Sequence, residues 1–144
     1  MVDDDVEGHP GFRIDQVAEA AENALPFLPN LVIMHVGTND AVQDYELDTA
    51  AERFGALIDR VLSAIPGVVV LVSTIIVNLN AGFEANIETI NSQIPAMVAE
   101  RANAGKYVYL VDMHDGYITT SDIHTSDKTH PTDGKLNPVP LSNA

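Results

Sequence analysis

Three short apolar runs, separated from one another by segments of helical periodicity, constrain the fold more than any other feature of this chain. The runs are LVIMHV at 31–36, VVVLVSTII at 68–76 and YVYLV at 107–111. Short, nearly continuous apolar runs are typical of strands buried on both faces, as in parallel sheets. None approaches the roughly 18 consecutive apolar residues that a membrane span needs, so we predict no membrane partner.

The intervening segments carry apolar residues at intervals of three and four. They are 14–25, 47–62 and 83–103. Thr49 and Glu52 fit a capping box at the start of the second helix, and Pro95 should kink or split the third. The alternation of helix and strand predicts an α/β fold of three layers, α/β/α, around a parallel sheet. Functional residues of such sheets lie in loops at the carboxyl ends of the strands.

Length and charge restrict the classes of protein further. A chain of 144 residues fits one domain, which we assign to residues 1–133, with an irregular tail at 134–144 that contains Pro138 and Pro140. Its net charge of −14 repels nucleic-acid phosphates, so we predict no nucleic-acid partner. The first residues are acidic and lack the basic and then apolar pattern of a signal peptide.

The motif GTND at 37–40 directly follows the first apolar run. Gly37 permits a tight turn with positive φ, and Asn39 could offer its amide N–H to an anion at the sheet edge. Taken alone, the motif is equally an ordinary turn that ends a strand.

Two further motifs contain histidine. In DKTHP at 127–131, Asp127 lies three residues before His130, close enough to hold the Nδ1–H of the imidazole and leave Nε2 free as a base. In EGHPG at 7–11, Gly8 leaves its backbone N–H accessible to an anion near a helix N-terminus. Each motif by itself is also compatible with a plain surface loop.

Together and in this order, the three motifs resemble the later sequence blocks of the SGNH (GDSL-type) hydrolase family. EGHPGFRIDQV, LPNLVIMHVGTNDA and DKTHPTD are similar to its carbohydrate esterases, including acetyl xylan esterases, and the resemblance covers about residues 7–133. It implies a flavodoxin-like SGNH hydrolase fold. It also implies that Gly8 and Asn39 form an oxyanion hole, that His130 is the general base and that Asp127 orients it.

The same resemblance implies a serine-type ester hydrolase that needs no cofactor. The implied substrate is a small ester or an acetylated polysaccharide such as xylan, and the implied location is extracellular.

The family's first block, a Gly-Asp-Ser after a strand, has no counterpart here. The serines, none of which matches the family nucleophile, are Ser63, Ser73, Ser92, Ser121, Ser126 and Ser142. We therefore expect a domain that is truncated at its N-terminus and nearly inactive as an esterase, with the full-length protein as the enzyme. The missing strand would lie beside 31–36 in this family, so we expect an unpaired edge there and self-association through it.

Two alternatives stay open. One is a metal-dependent hydrolase, because plausible metal ligands crowd one region although their spacing matches no standard zinc motif, and we assign no metal ligand. They are Asp112, His114, Asp115, His124, Asp127, His130 and Asp133. The other is a non-catalytic carbohydrate-binding relative. Tyr45 and Tyr117 are candidates for stacking on a sugar, and His35 is predicted to be a satisfied core histidine.

Overall fold

The structure, a computed structural model, describes residues 6–114 and 116–132. Its helices are α1 (Ile14–Ala21), α2 (Thr38–Val42), α3 (Ala50–Ala64), α4 (Ala81–Asn91) and α5 (Ile94–Asn103). Its strands are β1 (Leu31–Met34), β2 (Val69–Ser73) and β3 (Val108–Val111). Short 3-10 turns lie at Leu25–Phe27, Leu47–Thr49 and Thr120–Asp122. The predicted alternation of helix and strand is confirmed, and the proposed tail at 134–144 lies outside the described residues.

The strands form a parallel sheet in the order β1-β2-β3. The register aligns Val32 with Val70 and Val108, and it aligns Ile33 with Leu71 and Tyr109. Both crossovers run in the same direction across the sheet. Because such connections are right-handed, they place α3 and the α4–α5 pair on the same face. Helix α1 packs against α3 and extends this layer.

The core lies between the sheet and this helical layer. Val70, Val72 and Val108 point into it from the sheet, and Phe54 and Ile58 of α3 meet them there, all at most 1% exposed. Burial of these side chains supplies the main driving force for folding, since a buried Val, Ile or Phe contributes about 1.5–3 kcal/mol.

The opposite face of the sheet is uncovered in the part of the chain that the structure describes. Leu31, Ile33 and Tyr109 are all exposed there, Ile33 to 69%. The prediction that the run 31–36 is buried on both faces is therefore wrong for these residues. His35 follows the same alternation and is exposed, so the prediction of a core histidine is also wrong.

Two local predictions have different outcomes. The break at Pro95 is confirmed: α4 ends at Asn91, and α5 begins at Ile94 with the proline in its first turn, where no hydrogen bond of the helix is lost. The capping box at Thr49 does not form. The Thr49 hydroxyl donates instead to the carbonyl of Glu46, in the 3-10 turn that precedes α3.

Candidate active site

Asp127 and His130 meet in the loop that follows β3. Oδ2 of Asp127 lies 3.0 Å from Nδ1 of His130. Oδ1 of the same carboxylate accepts the backbone N–H groups of Thr129, at 2.9 Å, and His130, at 3.0 Å. The spacing of three residues therefore closes a turn in which both carboxylate oxygens are used.

These bonds stabilise the ionised form of Asp127. The backbone N–H of His130, then that of Thr129 and then the His130 side chain lower the pKa of Asp127 from 3.8 to about 2. Asp127 is therefore a carboxylate at any physiological pH. A carboxylate facing Nδ1 favours the tautomer with its proton on that nitrogen, which leaves Nε2 as an acceptor. The His130 side chain is 75% exposed, so it is accessible to a reactant.

The rest of this loop is held in shape by backbone hydrogen bonds and by one buried apolar residue. His124 donates its backbone N–H to the carbonyl of His130 at 2.9 Å, and Lys128 donates to the carbonyl of His124 at 2.8 Å. Lys128 adopts a left-handed conformation, with φ of 64°. Ile123 pairs with Pro131 in an isolated bridge and is buried, so the loop has an apolar anchor.

The GTND motif forms the turn from β1 into α2. Gly37 has φ of 106°, and a Cβ at this position would lie 2.9 Å from Cδ1 of Ile75. Conformation and packing both require glycine here, which confirms the predicted positive-φ turn. Asn39 donates from Nδ2 to the carbonyl of Phe12 at 3.0 Å. Because this nitrogen carries two hydrogens, one bond fixes the side chain and the second hydrogen can serve an anion.

Gly8 lies in the segment that Asn39 contacts. This segment is also held by Gln43 of the α2 C-terminus, which donates to the carbonyl of Gly11 at 3.2 Å. Gly8 is exposed, and a Cβ at this position would have no heavy atom within 4 Å. Within the described residues, packing does not explain a glycine here. The neighbouring His9 is occupied by Glu7, at 2.8 Å, and stacks on Phe12.

Helix α4 is connected by hydrogen bonds both to α2, which carries Asn39, and to the loop that carries His130. Asn86 of α4 donates to the carbonyl of Ala41 in α2 at 2.9 Å. Two residues earlier in the helix, Glu84 accepts the backbone N–H of Asn78, whose side chain donates to Thr129 in the His130 loop. The GTND turn and the His130 loop therefore both lie at the edge of the sheet where the parallel strands have their carboxyl ends, as predicted for functional loops.

Three supporting residues were missed by the sequence analysis: Asp40, Asn78 and Glu84. Asp40 is fully buried, and it accepts the N–H of Ile14 and pairs with Arg53. It stands inside the GTND motif, but an acidic side chain in a turn gives no sign of burial. Asn78 and Glu84 lie where a polar loop precedes a helix, a composition that is usual for surface residues.

The sequence also suggested two sugar-stacking tyrosines and a group of possible metal ligands. Arg13 and Arg53 stack on Tyr45, with distances to the ring centroid of 4.1 Å and 5.2 Å, so this tyrosine packs within the protein. Tyr117 is exposed. Within 6–114 and 116–132, no three His, Asp or Glu side chains come together as a metal site, and Asp115 and Asp133 lie outside these ranges.

None of the serines in the described ranges donates a hydrogen bond to His130. Ser73 is buried in β2, and Ser92 and Ser121 bond to residues of their own turns. Ser142 lies outside the described residues. An apolar groove of about 170 Å³ runs beside the open edge of β1, and Glu7, His9 and His35 are among the residues that line it.

The model of the GDSL-like lipase/acylhydrolase family matches residues 2–134. The chain belongs to this family. This match agrees with the resemblance of the sequence motifs to SGNH (GDSL-type) hydrolases. No curated protein sequence matches the chain.

Solved structures show the same SGNH hydrolase fold. A family 3 carbohydrate esterase of Clostridium thermocellum is 29% identical with a TM-score of 0.78, and the match covers 93% of this chain and 64% of that one. A family 3 carbohydrate esterase of Talaromyces cellulolyticus is 26% identical with a TM-score of 0.79, and the match covers 92% and 65%. A mutant acetyl esterase with an acetate ion is 26% identical with a TM-score of 0.75, and the match covers 90% and 63%.

This chain thus spans just under two thirds of the length of these three structures. The predicted α/β class with a parallel sheet is confirmed. Of the three predicted layers, the described residues supply the sheet and the helical layer on one of its faces. None of the helices in the described part of the chain has the length and apolar content that crossing a bilayer requires.

Proposed function

We propose that this chain supplies the base and the oxyanion-binding groups of a serine-type esterase that removes acetyl groups from a polysaccharide such as xylan. The observation that carries this proposal is the Asp127–His130 pair, a carboxylate ionised at physiological pH and 3.0 Å from an accessible imidazole. The similarity to carbohydrate esterases supports the substrate class. A polysaccharide substrate implies an extracellular location, because a polymer of that size does not cross a membrane.

The proposed chemistry is acyl transfer. A serine hydroxyl attacks the ester carbonyl and gives its proton to Nε2 of His130, while Asp127 stabilises the resulting imidazolium. The carbonyl oxygen becomes an anion that the backbone N–H of Gly8 and the side-chain amide of Asn39 bind. The bond from the carbonyl carbon to the alcohol oxygen then breaks, and His130 returns the proton to the departing alcohol. The acyl group stays on the serine until a water molecule, deprotonated by His130, attacks it, releases the acid and restores the serine hydroxyl. Removing one oxyanion donor typically raises the barrier by about 2.7–4 kcal/mol.

The nucleophile belongs, in this proposal, to a strand that fills the groove beside β1. The groove is apolar, and the edge of β1 opposite β2 has no strand partner among the described residues. Removing the serine of a serine protease lowers kcat about a millionfold, so we expect the 144-residue chain alone to hydrolyse p-nitrophenyl acetate or acetylated xylan at close to background rates. Turnover typical of an esterase by this chain would contradict this part of the proposal.

The central geometric requirement is that Gly8, Asn39 and His130 face one point. Because the chain contains no cysteine, His130→Cys provides a single attachment site for a nitroxide label. We expect the label to broaden the NMR signals of the Gly8 amide and the Asn39 side-chain amide. Ser63→Cys is the matched control, since Ser63 lies near the C-terminal end of α3, at the opposite edge of the sheet. Broadening from position 63 but not from position 130 would end the esterase proposal.

A non-catalytic carbohydrate-binding relative is the second candidate. The observation in its favour is that no serine in the described ranges donates to His130. The coding sequence upstream of residue 1 separates the two candidates, since a strand followed by Gly-Asp-Ser there supports the enzyme. A strand that ends without a serine supports the binding protein.

We also propose that the isolated chain associates with itself through the segment 31–36. β1 presents exposed apolar side chains and an edge without a second strand, and such edges template pairing with another chain.

A further inference from the structure

We propose that Asn78 is a positioning residue that holds the His130 loop in the shape in which the Asp127 carboxylate and the His130 imidazole meet. The inference rests on the proposed function, because it assigns a role in supporting the same catalytic pair. The side-chain amide of Asn78 is buried and takes no direct part in the proposed acyl transfer.

The side chain of Asn78 is bonded at both ends. It is only 4% exposed, and its Nδ2 donates to Oγ1 of Thr129 at 3.0 Å. Its Oδ1 accepts the backbone N–H of Asn80 at 2.8 Å. Thr129 is the residue whose own N–H binds the Asp127 carboxylate. Asn78 therefore contacts the turn at the point where the carboxylate is held.

A second bond runs parallel to this contact. The backbone N–H of Leu79 donates to the carbonyl of Lys128 at 2.9 Å. Two successive residues after β2 thus bind two successive residues of the loop that carries His130. Lys128 has φ of 64°, a conformation that is costly for a residue with a side chain and persists only where its surroundings hold it.

The backbone of Asn78 is held by Glu84. Its backbone N–H donates to Oε2 of Glu84 at 2.7 Å, and Oε1 of Glu84 lies 2.6 Å from Nε2 of His114. Glu84 belongs to α4, and His114 follows β3. One carboxylate therefore connects the loop after β2 with the loop after β3. Asn78, held by this carboxylate, in turn binds Thr129 through its side-chain amide.

The catalytic pair needs such support because its own side chains are open to solvent. Asp127 is 47% exposed and His130 is 75% exposed, so little packing holds either group. An exposed turn with few buried contacts opens easily. A buried amide whose bonds are satisfied is a fixed point by contrast, since releasing it leaves polar groups without partners.

The test is an NMR titration of the Asp127 carboxyl carbon in the 144-residue chain, which requires no turnover. In the parent chain the pKa of Asp127 should lie at about 2, held there by the N–H groups of Thr129 and His130. In Asn78→Ala we expect the Asp127 pKa to rise toward its ordinary 3.8. Asn80→Ala is the matched control, because Asn80 lies in the same loop and its side chain caps α4 by accepting from Gly82 and Phe83. Its Asp127 pKa should match the parent.

A second pair of variants keeps the inference open to refutation even if Asn78→Ala does not fold. Thr129→Val removes the acceptor of the Asn78 amide, together with the 3.2 Å bond from the same hydroxyl to the Asp127 carbonyl. It should raise the Asp127 pKa, whereas Thr129→Ser keeps the hydroxyl and should keep the parent value. Where both single variants fold, adding Asn78→Ala to Thr129→Val should cause no further rise. An unchanged Asp127 pKa in Thr129→Val, or an equal rise in Asn80→Ala, overturns the inference. Either result is independent of ester hydrolysis, so a failure of the proposed function is recognised separately.

Discussion

The carboxylate of Asp40 and the guanidinium of Arg53 lie 2.7 Å apart at a point where Asp40 is fully buried. The other oxygen of Asp40 accepts the N–H of Ile14, the first residue of α1, at 2.9 Å. Since Asp40 lies in α2 and Arg53 in α3, one carboxylate joins three helices. It also fixes the helix that carries Asn39 against the start of α1, close to the segment that contains Gly8.

Asp40→Ala should therefore be among the most destabilising substitutions in this chain. Breaking a buried ion pair costs about 3–5 kcal/mol, because the remaining charge stays buried. We expect a loss near 3 kcal/mol in the free energy of unfolding, since Arg53 keeps its bonds to the carbonyls of Tyr45 and Glu46. Urea denaturation measures this loss.

Glu22→Ala is the control for Asp40→Ala. Glu22 pairs with Arg60 through two bonds, at 2.7 Å and 2.9 Å, but both side chains are exposed. Exposed ion pairs contribute little to stability, so Glu22→Ala should change the unfolding free energy much less. Equal losses in the two variants would show that burial of Asp40 is not the source of its effect.

The Asp127 turn should give the fold a specific dependence on acid. The pKa of Asp127 is about 2 in the folded chain, below its ordinary 3.8, because the N–H groups of His130 and Thr129 and the His130 side chain bind its ionised form. A lowered folded pKa stabilises the fold fully above 3.8, and that stabilisation is lost as the pH falls through about 2. Asp127→Asn lacks this ionisation.

The measurement is urea denaturation of the parent and of Asp127→Asn from about pH 6 to about pH 2. The difference in unfolding free energy between the two chains should be constant at the upper end and should shrink as the pH falls below 3.8. A difference that does not change across this range would show that the carboxylate is not bound in the folded state as the structure has it.

The sheet was predictable from the sequence because β-branched runs separated by helical periodicity have few other ways to bury their apolar side chains. The order β1-β2-β3 and the helical layer follow from that alternation and from the handedness of the crossovers. The Asp127–His130 contact was predictable for a local reason, since a spacing of three residues lets one turn of chain bring the two groups together.

The exposure of Ile33 and His35 was not predictable in this way. An apolar run indicates that a strand is suited to burial, but it does not show whether the same chain covers both faces. The role of Asn78 was not predictable either, since its partner Thr129 lies 51 residues away and no local pattern connects them. Contacts of that range depend on how the loops after β2 and β3 pack.

Gly37 and Gly8 should differ in their response to alanine. Gly37→Ala places a Cβ 2.9 Å from Ile75 in a residue with φ of 106°. The left-handed conformation alone costs about 1–2 kcal/mol, and the contact with Ile75 adds to it. Gly8→Ala meets no atom within 4 Å and should leave the unfolding free energy unchanged. Thermal or urea denaturation compares the two variants, and similar losses in both would contradict the proposal that Gly8 is kept for an anion rather than for the fold.

The open edge of β1 should govern the oligomeric state of this chain. Ile33 is 69% exposed on that strand, so Ile33→Lys removes little burial and adds a charge that blocks strand pairing. Sedimentation velocity at rising concentration should show association of the parent and a monomer for Ile33→Lys. Phe27→Lys is the matched control, because Phe27 is 77% exposed and lies outside the sheet, so the same change of an apolar side chain to lysine there should leave association intact. If both lysine variants dissociate equally, the cause is the loss of exposed apolar surface in general and not the edge of β1. If the parent is monomeric at all concentrations, the edge does not pair with a second copy.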